Sequence, residues 1–137
     1  MKASKSFDVA LLFRALADHT RLRLLNLMGD DEVCVCFLVE ALGVTQPKIS
    51  RHLAYLRRAG IVTARREGKW MHYRLEKPQD PHALAILSAV DASFKSNPRM
   101  QVDRTKLVRL CCSSSVPAPL KRAPKPASVL GSQSSRE

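Results

Sequence analysis

Aromatic side chains make up only 5% of this 137-residue chain, a scarcity that favours aliphatic packing between helices. No window approaches the ~18–20 consecutive apolar residues that a bilayer span needs, so no membrane partner is expected. The opening stretch MKASKSFDVALLFRAL carries charges but no uninterrupted apolar run of signal-peptide length. A soluble, cytoplasmic protein is the expectation, and in that compartment the four cysteines are reduced thiols rather than structural disulfides. No Cys-x-x-Cys lies near a βαβ pattern, which argues against a thiol oxidoreductase, and no enzymatic role is expected. Internal repeats are absent, and the length suits one domain with a tail rather than two cores.

Acidic residues are also few, 12 against 23 basic ones, and the resulting charge of +11 is unevenly spread. Residues 1–44 are balanced to within one charge, whereas residues 45–77 carry 9 basic and 2 acidic side chains. Such a concentration is the electrostatic footprint expected for a phosphate backbone, the bland alternative being a solvated basic face.

Periodicity organises the rest. Val9, Leu12, Phe13 and Leu16 have the spacing of an amphipathic helix over residues 7–17. Asp18 and Thr20 can cap a second helix over residues 21–28, which Gly29 ends. A short third helix is expected from about Cys36 to Leu42. Thr45 then caps a fourth that runs to Ala59, with Pro47 tolerated in its first turn. Two β-type runs, residues 61–65 and 70–75, flank a turn in which Gly68 supplies positive φ. Helical patterns resume over residues 82–94 and 102–110. This order predicts a mainly α (α+β) winged helix-turn-helix domain over residues 1–112. Beyond it, residues 113–137 hold seven serines and four prolines and read as a disordered, basic tail.

Within the fourth helix, Ile49, Leu53 and Leu56 form one aliphatic stripe, while Lys48, Arg51, Tyr55 and Arg58 fall opposite it. A rod with one apolar seam and one basic face suits the major groove of double-stranded DNA. Gln46, Lys48 and Ser50 are the candidates for base edges, and Arg51, Arg57 and Arg58 for phosphates. His52 and His72 are candidates for the DNA backbone. Arg65, Arg66 and Lys69 cluster at the hairpin tip, where a wing meets an adjacent groove.

Just upstream, Cys34 and Cys36 lie one residue apart. Paired thiolates bind soft, thiophilic ions such as As(III) and Sb(III); the bland alternative is two small side chains packing as hydrophobes. Residues two apart in a helix are rotated by about 200°, so the sulfurs converge only on extended or unwound backbone. Ion capture is therefore expected to distort the start of the third helix and, through a short turn, the DNA-reading fourth. Cys111 and Cys112 form a second pair at the tail boundary.

The segments FRALADHTRLRLL, EVCVC, TQPKISRHLAYLRRAGIV and REGKWMHYRL resemble, in order, the ArsR/SmtB family of metalloregulatory repressors, specifically its arsenic-responsive branch. The resemblance covers roughly residues 7–76. It implies a homodimer, with first and last helices packed across a two-fold axis and recognition helices ~34–36 Å apart on operator DNA. It also implies that trivalent arsenic or antimony, inorganic or methylated, is the inducer, held by Cys34 and Cys36. Val39 stands where the branch has its third thiolate. Cys111 and Cys112 would then donate that ligand, form an independent two-sulfur site, or be incidental. The dimerisation-helix zinc site of the family is not matched, because Ser93 and Ser96 occupy the positions that pair with Asp80 and His82. The competing readings are a Cd(II) or Pb(II) sensor using the same thiols, a thiol-redox switch, and a metal-insensitive architectural DNA binder.

Overall fold

A computed structural model describes residues 8–29, 31–112 and 123–126. Asp8 opens helix α1 (Val9–Leu16) by accepting the Leu11 N–H, and Asp18 does the same for α2 (His19–Met28) through the Arg21 N–H. Of the two capping candidates before α2, Asp18 is the one that caps. A two-residue strand β1 (Val33–Cys34) follows, then α3 (Val35–Leu42), which Gly43 ends in the left-handed conformation at φ 65°. Next come α4 (Gln46–Arg58), β2 (Val62–Glu67) and β3 (Trp70–Leu75). Thr45 occupies the N-cap position of α4, but its side chain makes no capping hydrogen bond. The chain closes with α5 (Pro81–Phe94), capped by Asp80, and α6 (Pro98–Cys112). The expected disorder of residues 113–137 falls outside the described residues apart from 123–126, where Ala123 and Pro126 are buried.

The three strands are antiparallel in the order β1-β3-β2. Glu67 pairs with Trp70, so the hairpin turn is only Gly68-Lys69, tighter than the four-residue connection expected from sequence. Gly68 at φ 58° is the residue that permits it. β1 was not foreseen at all. Two residues are too short for alternation to register, and only the exposed edge of β3 gives them partners.

The core is aliphatic, as the shortage of aromatics requires. Leu12, Leu24, Met28, Leu38, Ile49, Leu53 and Leu56 are at most 1% exposed, with Phe37 as the large ring among them. α6 is longer than its pattern suggested and lies on α2 and α3. It is tied there by Arg23, which donates from Nε and a terminal nitrogen to Asp103 at 2.7 and 2.9 Å. Buried Asn26 completes the tie by donating to the Met100 carbonyl and accepting from Arg104. No helix among the described residues is long and apolar enough to cross a membrane.

Candidate DNA interface and thiol site

Ile49, Leu53 and Leu56 are fully buried, which pins one face of α4 to the domain and turns the other outward. Gln46, Lys48, Ser50, Arg51, Arg57 and Arg58 are all exposed, as are Arg65, Arg66 and Lys69 on the hairpin. Helix and wing thus both present cations to solvent, and α4 itself carries no carboxylate.

Two residues expected on the DNA-facing side also contact the neighbouring helix. His52 is half-buried, with Nδ1 accepting from Arg21 at 3.3 Å and lying 3.8 Å from Asp18. Tyr55 is also half-buried, its ring covered by the Arg21 guanidinium at 4.3 Å and approached by Arg58 at 5.5 Å. Arg21 donates as well to the carbonyls of Ala15 and Arg14. One side chain therefore fastens α1, α2 and α4 together, a role that nothing in its sequence context signals.

The wing divides similarly. Arg66 donates to the Gly68 carbonyl at 3.3 Å, and the Lys69 ammonium rests 4.9 Å over the Trp70 ring. Arg65 is engaged differently. Its Nε and a terminal nitrogen grip the Glu32 carboxylate at 2.6 to 3.1 Å, and it lies 3.8 Å from Glu67. This forked contact holds the Glu32 carboxyl below its usual range.

The thiols meet where strand gives way to helix. Cys34 is the last residue of β1 and the N-cap of α3, with extended backbone at φ −66° and ψ 139°. Cys36 lies in the first turn. That junction brings the two sulfurs to 3.0 Å. Convergence needs no unwinding of α3: Cys34 stands outside the helix on extended backbone, one of the two conditions under which the sulfurs were expected to meet. Cys34 is fully buried and Cys36 half-buried.

The contact is a hydrogen bond whose proton either sulfur can supply. Donation from Cys36 brings the Cys34 thiol down from 9.0 to about 6, opposed by burial and helped by the N–H groups of Cys36 and Val35 and by His72. The same bond, together with burial, pushes Cys36 up. One sulfur is thus a thiolate near neutrality, and the thiolate is the form that binds soft ions. His72 is a sequence candidate for the DNA backbone. It is 3% exposed, stands opposite Cys34 in the β1–β3 register, and bonds to Glu67 at 3.1 Å. A side chain so enclosed cannot reach a phosphate; it sits in the register position opposite a thiol instead.

Val39 follows Cys36 by three residues on the same helix and is half-buried. Among the described residues no cluster of three His, Cys, Asp or Glu side chains forms around the pair. Cys111 is fully buried in the last turn of α6, and the Cys112 side chain lies outside the described residues. The donor set that the structure does assemble is two adjacent sulfurs, a fit for a soft ion and a poor one for a hard cation that needs several oxygens.

Residues 18–64 match the model of the arsR family of bacterial regulatory proteins. The arsenical resistance operon repressor of Escherichia coli is 43% identical over 105 residues, 74% of this chain and 86% of that one. The chain belongs to the ArsR family. It is also 50% identical over 86 residues to the arsenic resistance transcriptional regulator ArsR1 of Pseudomonas putida, spanning 61% of this chain and about two thirds (66%) of that relative. Among solved structures, HlyU of Vibrio cholerae superposes with a TM-score of 0.56 at 30% identity, covering 64% of this chain and 92% of that one. An antimony-specific transcriptional repressor, AntR, gives 0.52 at 29% identity, with 72% and 93% covered. The homodimeric winged helix-turn-helix domain Mb0332 of Mycobacterium bovis gives 0.53 at 26%, with 72% and 94% covered. The winged-helix architecture of this ArsR-family protein is therefore shared by proteins of much lower sequence identity.

Proposed function

We propose that this ArsR-family chain is an arsenic-responsive transcriptional repressor that acts in the cytoplasm without catalysis. It binds operator DNA as a homodimer and releases it when trivalent arsenic or antimony, inorganic or methylated, is captured by Cys34 and Cys36. The observation that carries this reading is the 3.0 Å approach of the buried Cys34 sulfur to that of Cys36, shortly before a helix whose outward face is basic. Relatives named for arsenic resistance and an antimony-specific repressor of the same fold point to the same class of ion.

Gln46, Lys48 and Ser50, exposed in the first turns of α4, read base edges. Arg51, Arg57, Arg58, Arg66 and Lys69 neutralise phosphates. Dimerisation is supported by apolar residues left in solvent on the first and last helices: Val9 and Phe13 on α1, Val102 and Val108 on α6. The homodimeric state of the Mycobacterium bovis relative agrees with it. Cys111 and Cys112 are proposed as an auxiliary thiol site.

The sulfur contact also suits oxidation, so the test must separate ion capture from peroxide chemistry. Fluorescence anisotropy on DNA from upstream of the gene is followed while arsenite, then peroxide, is added to wild type and to a Cys34→Ser/Cys36→Ser variant. Wild type should bind and let go on arsenite alone, and the variant should bind and stay. Release of the variant by arsenite would remove these cysteines from the proposal.

A further inference from the structure

We infer that Glu32 is the positioning residue through which the thiol site governs the wing, acting by its grip on Arg65; the inference rests on the thiol-capture reading above. Three residues form a row across the sheet. Cys34 on β1 pairs with His72 on β3, and His72 pairs with Arg65 on β2. The DNA-facing hairpin is therefore hydrogen-bonded directly to the strand that carries a sulfur.

The side chains reinforce that row. Glu32, two residues before Cys34, accepts three contacts of 2.6 to 3.1 Å from Arg65, while Glu67 lies 3.8 Å from Arg65 and 3.1 Å from His72. A forked guanidinium–carboxylate contact is directional, so it transmits displacement and not charge alone. β1 comprises only two residues, and a shift imposed at Cys34 is carried straight to Glu32. With Arg65 committed to Glu32, the phosphate contacts of the wing fall to Arg66 and Lys69. A wing tied to β1 in this way follows the sulfur strand when an ion draws it, and the second DNA contact is lost together with the first. Pairing of this kind adds little to stability when exposed, so its removal leaves the fold in place.

The full chain carrying Glu32→Gln separates coupling from structure. Arsenite affinity without DNA should stay within about threefold of wild type. The ratio of DNA dissociation constants with and without arsenite should fall by about tenfold or more. Freed Arg65 should add a phosphate contact, steepening the slope of log affinity against log salt by ~0.9, a change that a merely structural role would not produce. Arg65→Gln should lose the ratio equally, which keeps the test intact if Glu32→Gln folds poorly, and the swap Glu32→Arg/Arg65→Glu should restore most of it. A responsive wild type beside an equally responsive Glu32→Gln overturns the latch alone. So does a Glu32→Gln protein that loses its response by losing arsenite binding. A wild type indifferent to arsenite overturns the proposed function, and the latch with it.

Discussion

Capture of arsenite by this protein should take up close to one proton near neutrality. The reason lies in the sulfur pair: Cys36 donates to Cys34 and lowers it to about 6, while the partner is pushed the other way. At about pH 7 Cys34 is then about nine-tenths thiolate, against ~1% for a thiol at 9.0. When neutral arsenous acid meets one thiolate and one thiol, two As–O bonds break and two As–S bonds form. One water and one hydroxide leave, and the hydroxide takes its proton from buffer. Two protonated thiols would release two waters and take up nothing. The uptake should be about 0.9 proton at about pH 7 and about 0.1 at about pH 5, since the depressed thiol is protonated below its pKa. Calorimetry in two buffers of different ionisation enthalpy measures it. Replacing Cys36 with Ala removes the largest lowering influence and leaves burial, so the thiolate absorbance of Cys34 should appear at least about one pH unit higher. Uptake that stays near zero from about pH 5 to pH 8 would refute a depressed thiol in the pair, and an unmoved Cys34 absorbance in the Cys36 variant would refute the assigned direction of the bond.

Two further outcomes test the DNA-reading element. Leu53→Ala removes a fully buried side chain from the seam of α4 and should cost about 2–5 kcal/mol in urea denaturation; a loss under about 1 kcal/mol would mean the helix is not seated as described. Lys48→Ala and Lys69→Ala, on the exposed helix face and the wing, should each make the salt dependence of DNA affinity shallower by ~0.9, and an unchanged slope would take that residue off the phosphate path.

Much of the DNA-reading element was legible in the primary structure because its determinants are local. The Ile49, Leu53 and Leu56 stripe, the Asp18 cap and the positive-φ Gly68 each act within a few residues of themselves. The cysteine pair was legible for the same reason, as chemistry at a spacing of two. Its backbone was not. Periodicity gives no sign that Cys34 is extended, since that follows from the pairing of Val33 with Tyr73 and of Cys34 with His72, about forty residues away along the edge of β3.

Spacing alone marked the order of elements, the basic surface and the two sulfurs, all properties of neighbours along the chain. Tertiary structure decided which cations are available to DNA. Arg21 is consumed by three helices, Arg65 by Glu32, and His72 is enclosed beside a thiol, because packing brings each of them a partner distant in the chain. A charged side chain offers itself to solvent or to a carboxylate with equal ease, and only the folded geometry supplies the carboxylate.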